Sequence, residues 1–107
     1  FANEASRIIA SLDGDLNSVM KGIGLDKRIG NDYFRPSPGW GGSCFPKDVR
    51  EIINIADSKS LNLPLMENIL ESNDIHMSWF AEKLINLKEI NQLDSIILIG
   101  AAFKDYL

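Results

Sequence analysis

The residues most able to do chemistry lie in Gly39-Trp40-Gly41-Gly42-Ser43-Cys44-Phe45-Pro46-Lys47-Asp48, which holds the only cysteine of the chain. Glycines at 39, 41 and 42 let backbone approach a ligand closely and leave amide N–H groups free to point at it. Pro46 suits the first turn of a helix, where its missing N–H costs nothing. Cys44 is therefore expected at a helix N-terminus, where orphan N–H groups and the helix dipole favour a thiolate. Lys47 adds positive charge one turn on. Asp48, four residues from Cys44, shares its helix face. A thiolate, a carboxylate and an amide-rich loop together read as nucleophilic catalysis on a carbonyl. The bland alternative for Cys44 is a buried core cysteine, and for Asp48 and Lys47 a first-turn carboxylate and a solvated cation.

Helices must carry that loop. Phe1 to Leu12 reads as a helix, with Ile8, Ile9 and Leu12 at helical spacing and Gly14 as its stop. Asp15 can cap a second, short helix with an apolar face of Leu16, Val19, Met20 and Ile23, closed by Gly22 and Gly24. A turn follows at residues 26–30. Residues 31–43 form a Gly- and Pro-dense loop, long enough without secondary structure to suggest function by itself. The third helix runs from Pro46 to about Ser60, with Val49, Ile52, Ile53 and Ala56 as its stripe. The fourth runs from Pro64 to about Lys88. Met66, Ile69, Leu70, Met77, Phe80, Leu84 and Leu87 lie along one side of it, and Asn73 interrupts them. Ile75 and Trp79 add a second apolar face, so this helix is expected to pack on more than one neighbour, a partner subunit included. His76, without Asp or Ser at triad spacing, reads as an ordinary helix histidine, and Trp79-Phe80 as packing. Ser95 to Ile99 is apolar on both faces and reads as a buried parallel strand. The fold class is mainly α: a small bundle of about four helices, a Gly/Pro-rich loop and one C-terminal strand.

Composition narrows the function classes. The chain has 107 residues and a net charge of −4, with both signs scattered. That suits one domain with a modest core and gives no basic patch for nucleic acid. No apolar run approaches the roughly 20 residues that span a bilayer. A lone thiol forms no intrachain disulfide and fits a reducing, cytoplasmic setting. One His and one Cys far apart in sequence speak against a metal site.

The run Gly41-Gly42-Ser43-Cys44-Phe45-Pro46-Lys47-Asp48-Val49 resembles the active-site cysteine motif of the UDP-glucose/GDP-mannose dehydrogenase family. Asn3-Glu4-Ala5, Gly24 to Gly30 and Ile97 to Lys104 resemble three further stretches of that family, in order and spacing. The resemblance implies a central helical domain over residues 1–94 and the start of a nucleotide-binding domain over 95–107. The chain is then expected to be cut inside a helix at one end and just after a strand at the other. The strand, having lost its neighbours, is expected to be disordered, to fold onto the helices or to pair with another chain.

The resemblance also implies a reaction and its residues. A nucleotide-sugar C6 alcohol is oxidised by NAD to an aldehyde, which Cys44 captures as a thiohemiacetal. A second oxidation gives a thioester, which water hydrolyses. Asp48 would manage protons and water, and Lys47 would lie against the cofactor. Tyr33, Phe34, Arg35, Pro36, Ser37, Gly39 and Gly41 would line the sugar nucleotide, Arg28 would reach the sugar of a neighbouring subunit, and Phe103 and Lys104 would contact substrate. The family's catalytic lysine and asparagine belong upstream of Asn3, and the sequence has no Gly-x-Gly-x-x-Gly fingerprint. NAD is thus expected to be bound mainly by a domain outside this chain, and the chain alone to be inactive. UDP-glucose is the first-choice substrate, with GDP-mannose and UDP-N-acetylmannosamine as alternatives. The partners implied are a UDP-sugar and a second copy of the chain, docked through the central helices; nucleic acid, membrane and metal are not. Two rival readings are a helical dimerisation module without chemistry and a thiol redox sensor, the latter lacking a resolving cysteine.

Overall fold

The computed structural model describes residues 1–32 and 34–99. Four helices make up its regular structure: α1 (Ala2–Ser11), α2 (Leu16–Gly24), α3 (Phe45–Ser58) and α4 (Pro64–Ile90). The protein is mainly helical, as its hydrophobic periodicity requires. It divides into two compact units, residues 1–39 and residues from 40 onward. In the first, α1 packs on α2; in the second, α3 packs on α4.

In the first unit one residue of α1, Ser6, is buried. It turns its hydroxyl back to donate to the Asn3 carbonyl at 2.7 Å, while Ile8 and Leu12 are exposed. Asp15 caps α2 as its side chain predicts. It accepts from the Asn17 N–H at 3.1 Å and from the Ser18 hydroxyl at 2.5 Å. Those bonds, the Ser18 hydroxyl first, hold the Asp15 carboxyl below the usual aspartate range. Met20 and Gly24 are the buried residues of α2. A Cβ on Gly24 would come within 1.9 Å of the Asn31 Oδ1, so the glycine makes room for a side chain of the following loop.

In the second unit Pro64 opens α4 at a position where no N–H is needed, and Glu67 reaches back to accept from the Leu63 N–H at 3.2 Å. Ala56 is the buried residue of α3, and its small side chain suits a close approach of two helices. The two buried positions of α4 are Asn73 and His76, not the apolar residues around them. His76 lies against Trp79 with ring centroids 5.5 Å apart, and the Lys83 Nζ stands 4.9 Å from the Trp79 ring centre.

Three helices end in the same device. After α1, α3 and α4 the chain passes through a left-handed residue: Asp13 at φ 51°, Ser60 at φ 52° and Gln92 at φ 51°. In each case the next N–H returns to the third-last helical carbonyl, as in Gly14 to Ile9, Leu61 to Ala56 and Leu93 to Lys88, each at 2.9 Å. These are Schellman closures, with a non-glycine residue where glycine is usual. Gly14, expected to stop α1, takes the position after the left-handed one.

One expected element is corrected. Among the described residues there is no strand, and Ile97, Leu98 and Ile99 are 82, 75 and 88 % exposed. The segment neither folds onto the helices nor pairs within the chain. A parallel strand needs neighbours for its N–H and C=O groups, and the described residues offer none. Residues 100–107 lie outside the described part, and with them Phe103 and Lys104.

Candidate active site

The cysteine stands where its sequence surroundings put it. Cys44 is the N-cap residue of α3, Phe45 is its first helical residue and Pro46 its second. The thiol is exposed and makes no capping bond; it lies 3.6 Å from the Ser43 Oγ. The Cys44 carbonyl accepts the Asp48 N–H at 2.9 Å, closing the first helical turn. Lys47 and Asp48 are likewise exposed on this turn, and Arg50 donates to the Pro46 carbonyl at 3.3 Å. A thiol, a carboxylate and an ammonium thus share one open helix end. The site's chemical capacity is that of an accessible thiol at a helix N-terminus.

The loop before Cys44 is held from α4. The Asn73 carboxamide accepts the Trp40 N–H at its Oδ1 (2.9 Å) and donates from Nδ2 to the Trp40 carbonyl (3.0 Å). Asn73 is 8 % exposed, so the pair replaces water at both backbone groups of one residue. Gly42 then takes φ 93°, a conformation that favours glycine. A Cβ on Gly41 would meet nothing within 4 Å, so its face of the loop is open.

The other candidate residues belong to the first unit. Ser37 is pinned by its N–H to the Asn3 Oδ1 at 2.9 Å, and its hydroxyl donates to the Gly39 carbonyl at 2.8 Å. Phe34 is half-buried, with its ring 5.7 Å from that of Phe1. Arg35 is exposed; Pro36 and Gly39 are half-buried. Arg28 is exposed and forms a fork with Asp26, Nε to Oδ1 at 3.0 Å and Nη2 to Oδ2 at 2.6 Å. The guanidinium, followed by the Arg28 N–H, holds the Asp26 carboxyl below the usual range, and the Arg28 pKa rises correspondingly. Tyr33 lies outside the described residues. The structure therefore gathers Cys44, Lys47 and Asp48 on one helix turn and ties the stretch around Phe34 and Ser37 to the start of α1. Sequence reasoning missed the two asparagines that anchor these loops, Asn3 and Asn73. Asn73 did leave a signal, as a polar residue inside an apolar stripe.

Residues 1–75 match the family described as UDP-glucose/GDP-mannose dehydrogenase family, central domain, and the chain belongs to that family. Among curated relatives it is 34 % identical to UDP-glucose 6-dehydrogenase TuaD of Bacillus subtilis (strain 168), over 97 % of this chain and 23 % of that protein. It is 32 % identical to UDP-glucose 6-dehydrogenase of Rickettsia bellii (strain RML369-C), over 97 % of this chain and 24 % of that protein. UDP-glucose 6-dehydrogenase YwqF of Bacillus subtilis (strain 168) is 33 % identical over the same share of the chain, 97 %, and 24 % of its own length. The chain thus spans about a quarter of the length of these relatives. No helix among the described residues is long and apolar enough to cross a membrane.

Proposed function

We propose that this chain is the cysteine-bearing part of a cytoplasmic nucleotide-sugar 6-dehydrogenase that converts UDP-glucose to UDP-glucuronate. Residues 1–94 are its central helical domain, and residues 95–107 begin a nucleotide-binding domain. The observation that carries the reading is the exposed Cys44 thiol at the N-cap of α3, with Lys47 and Asp48 on the turn that follows. The names of the curated relatives supply the sugar nucleotide.

Cys44 adds as thiolate to the C6 aldehyde carbonyl, forming the C–S bond of a thiohemiacetal, and the carbonyl oxygen takes up a proton. After oxidation of that adduct, water attacks the thioester carbonyl, the C–S bond breaks, and the sugar leaves as a carboxylate. Asp48 is the proton acceptor for the water. NAD supplies the oxidising equivalents when bound. Toward it this chain offers the exposed Lys47 ammonium and open backbone amides, which can touch an anionic cofactor but do not enclose one. Arg28, Tyr33, Phe34, Arg35, Pro36, Ser37, Gly39, Gly41, Phe103 and Lys104 are proposed to line the UDP-sugar.

The protein is proposed to act as a homodimer through its central helices. Ile75, Leu87 and Ile90 of α4 are all more than half exposed in the single chain and lie on one side of the helix, apolar surface of the kind that marks association. A purely structural dimerisation module would use the same surface. The distinguishing experiment is NADH formation by the intact enzyme with UDP-glucose, GDP-mannose and UDP-N-acetylmannosamine. Turnover with UDP-glucose and loss of it in Cys44→Ser supports the enzyme; turnover with none of the three supports the module.

A further inference from the structure

We propose that Asn73 is the positioning residue of the cysteine loop. It lies on α4, outside the helix turn that bears the thiol, and acts through the backbone of Trp40. The inference rests on the reading of Cys44 as the nucleophile.

Asn73 occupies a buried place on α4, where a bare carboxamide would be costly. Its cost is met chiefly by Trp40, beside a weak contact from Nδ2 to the Met77 Sδ at 3.9 Å. Oδ1 accepts the Trp40 N–H and Nδ2 donates to the Trp40 carbonyl, at 2.9 and 3.0 Å. Both backbone groups of Trp40 are held at once, so residue 40 cannot swing without losing both bonds. From there only Gly41, Gly42 and Ser43 lead to Cys44. At the far end the Asp48 N–H fixes the Cys44 carbonyl, and α3 itself packs on α4. The cysteine thus hangs on a short span pinned at each end to one helix pair. The span contains two glycines, one at φ 93°. Released at one end, it would explore many conformations, since glycine has the most backbone freedom to lose. A nucleophile displaced by about 1 Å can lose roughly a hundredfold in rate.

Only asparagine fits this duty at the observed distances. Aspartate lacks the N–H donor and would face the Trp40 carbonyl with charge; alanine supplies neither group.

The consequence is specific to the second half of the reaction. An aldehyde that Cys44 captures too slowly leaves into water, so free aldehyde appears and less NADH forms per sugar consumed. The test compares wild type, Asn73→Ala, Asn73→Asp and Cys44→Ser in the intact enzyme, with UDP-glucose as substrate and a hydrazine as aldehyde trap. Amide hydrogen exchange is followed without substrate or cofactor. Expected for both Asn73 variants are a KM within about threefold of wild type, a fall in kcat of about 10- to 100-fold, and trapped aldehyde. Exchange at the Trp40 N–H should quicken at least about tenfold in Asn73→Ala, the loss of one well-made bond, with the α3 and α4 interiors unchanged. Exchange that quickens equally throughout α3 and α4 would overturn the proposal, as would a loosened loop with full aldehyde capture. Cys44→Ser separates the two claims. Unaltered turnover there overturns the nucleophile reading and the catalytic consequence of the clamp with it. Blocked turnover there, with full capture in Asn73→Ala, overturns the clamp alone.

Discussion

Ser60 offers a quantitative check on how the α3–α4 hairpin is built, and hence on the frame that carries Cys44. It is the left-handed residue after α3, at φ 52°, and the Leu61 N–H then bonds the Ala56 carbonyl at 2.9 Å. A side chain bearing a Cβ costs about 1–2 kcal/mol in this conformation, which glycine avoids. Glycine in turn has about 0.5–1 kcal/mol more unfolded-chain freedom to lose. The difference leaves Ser60→Gly more stable at this joint by about 0.5–1 kcal/mol. Ser60→Val, β-branched, should lose about 1–2 kcal/mol. Amide exchange at Leu61 in the intact protein reads the joint directly: about two- to fivefold slower in Ser60→Gly, and about five- to thirtyfold faster in Ser60→Val. Faster exchange in Ser60→Gly, or no effect of valine, would refute the strain argument. The same reasoning would then fail at Asp13 and Gln92, which take matching angles.

Other outcomes follow from single contacts. Met20→Ala should cost about 2–3 kcal/mol, the low end for a buried methionine because so little else is buried beside it, measurable as a fall in denaturation midpoint. The Asp15 and Asp26 carboxyls are depressed in the fold, so each stabilises it above its unfolded pKa, and the contribution is lost as pH falls through the folded value. Carboxyl NMR titration should find both below the ordinary aspartate value, and Arg28→Ala should raise Asp26 while leaving Asp15 unmoved. Leu87→Glu, at an exposed site on α4, should leave helix content unchanged and shift light scattering from dimer toward monomer.

Helix boundaries were legible where the signals are local. Asp15 as a cap and Pro64 at a helix start are fixed by the hydrogen-bonding needs of a helix end, whatever surrounds them. The apolar stripes predicted which way α3 faces through Ala56, but not that α1 turns Ser6 inward and leaves Ile8 and Leu12 in solvent. Burial depends on which neighbour arrives, and periodicity does not name it. Asn73 read as an interruption because its partner, Trp40, lies far off in sequence and uses only backbone. The run Ser95 to Ile99 has the composition of a strand, but strand structure belongs to a pair of segments, and the partner is not among the described residues. At the site, Cys44, Lys47 and Asp48 fell together as expected, since one helical turn places them. The loop anchors escaped notice for the reason Asn73 did.

The central claim is that Cys44 is the nucleophile of a UDP-glucose oxidation. The most direct measurement is mass spectrometry of the intact enzyme, quenched during turnover with UDP-glucose and NAD, in wild type and Cys44→Ala. A sugar-nucleotide adduct is expected on the peptide bearing Cys44 in wild type, and neither adduct nor UDP-glucuronate in the variant. UDP-glucuronate formed at the wild-type rate by Cys44→Ala would contradict the claim.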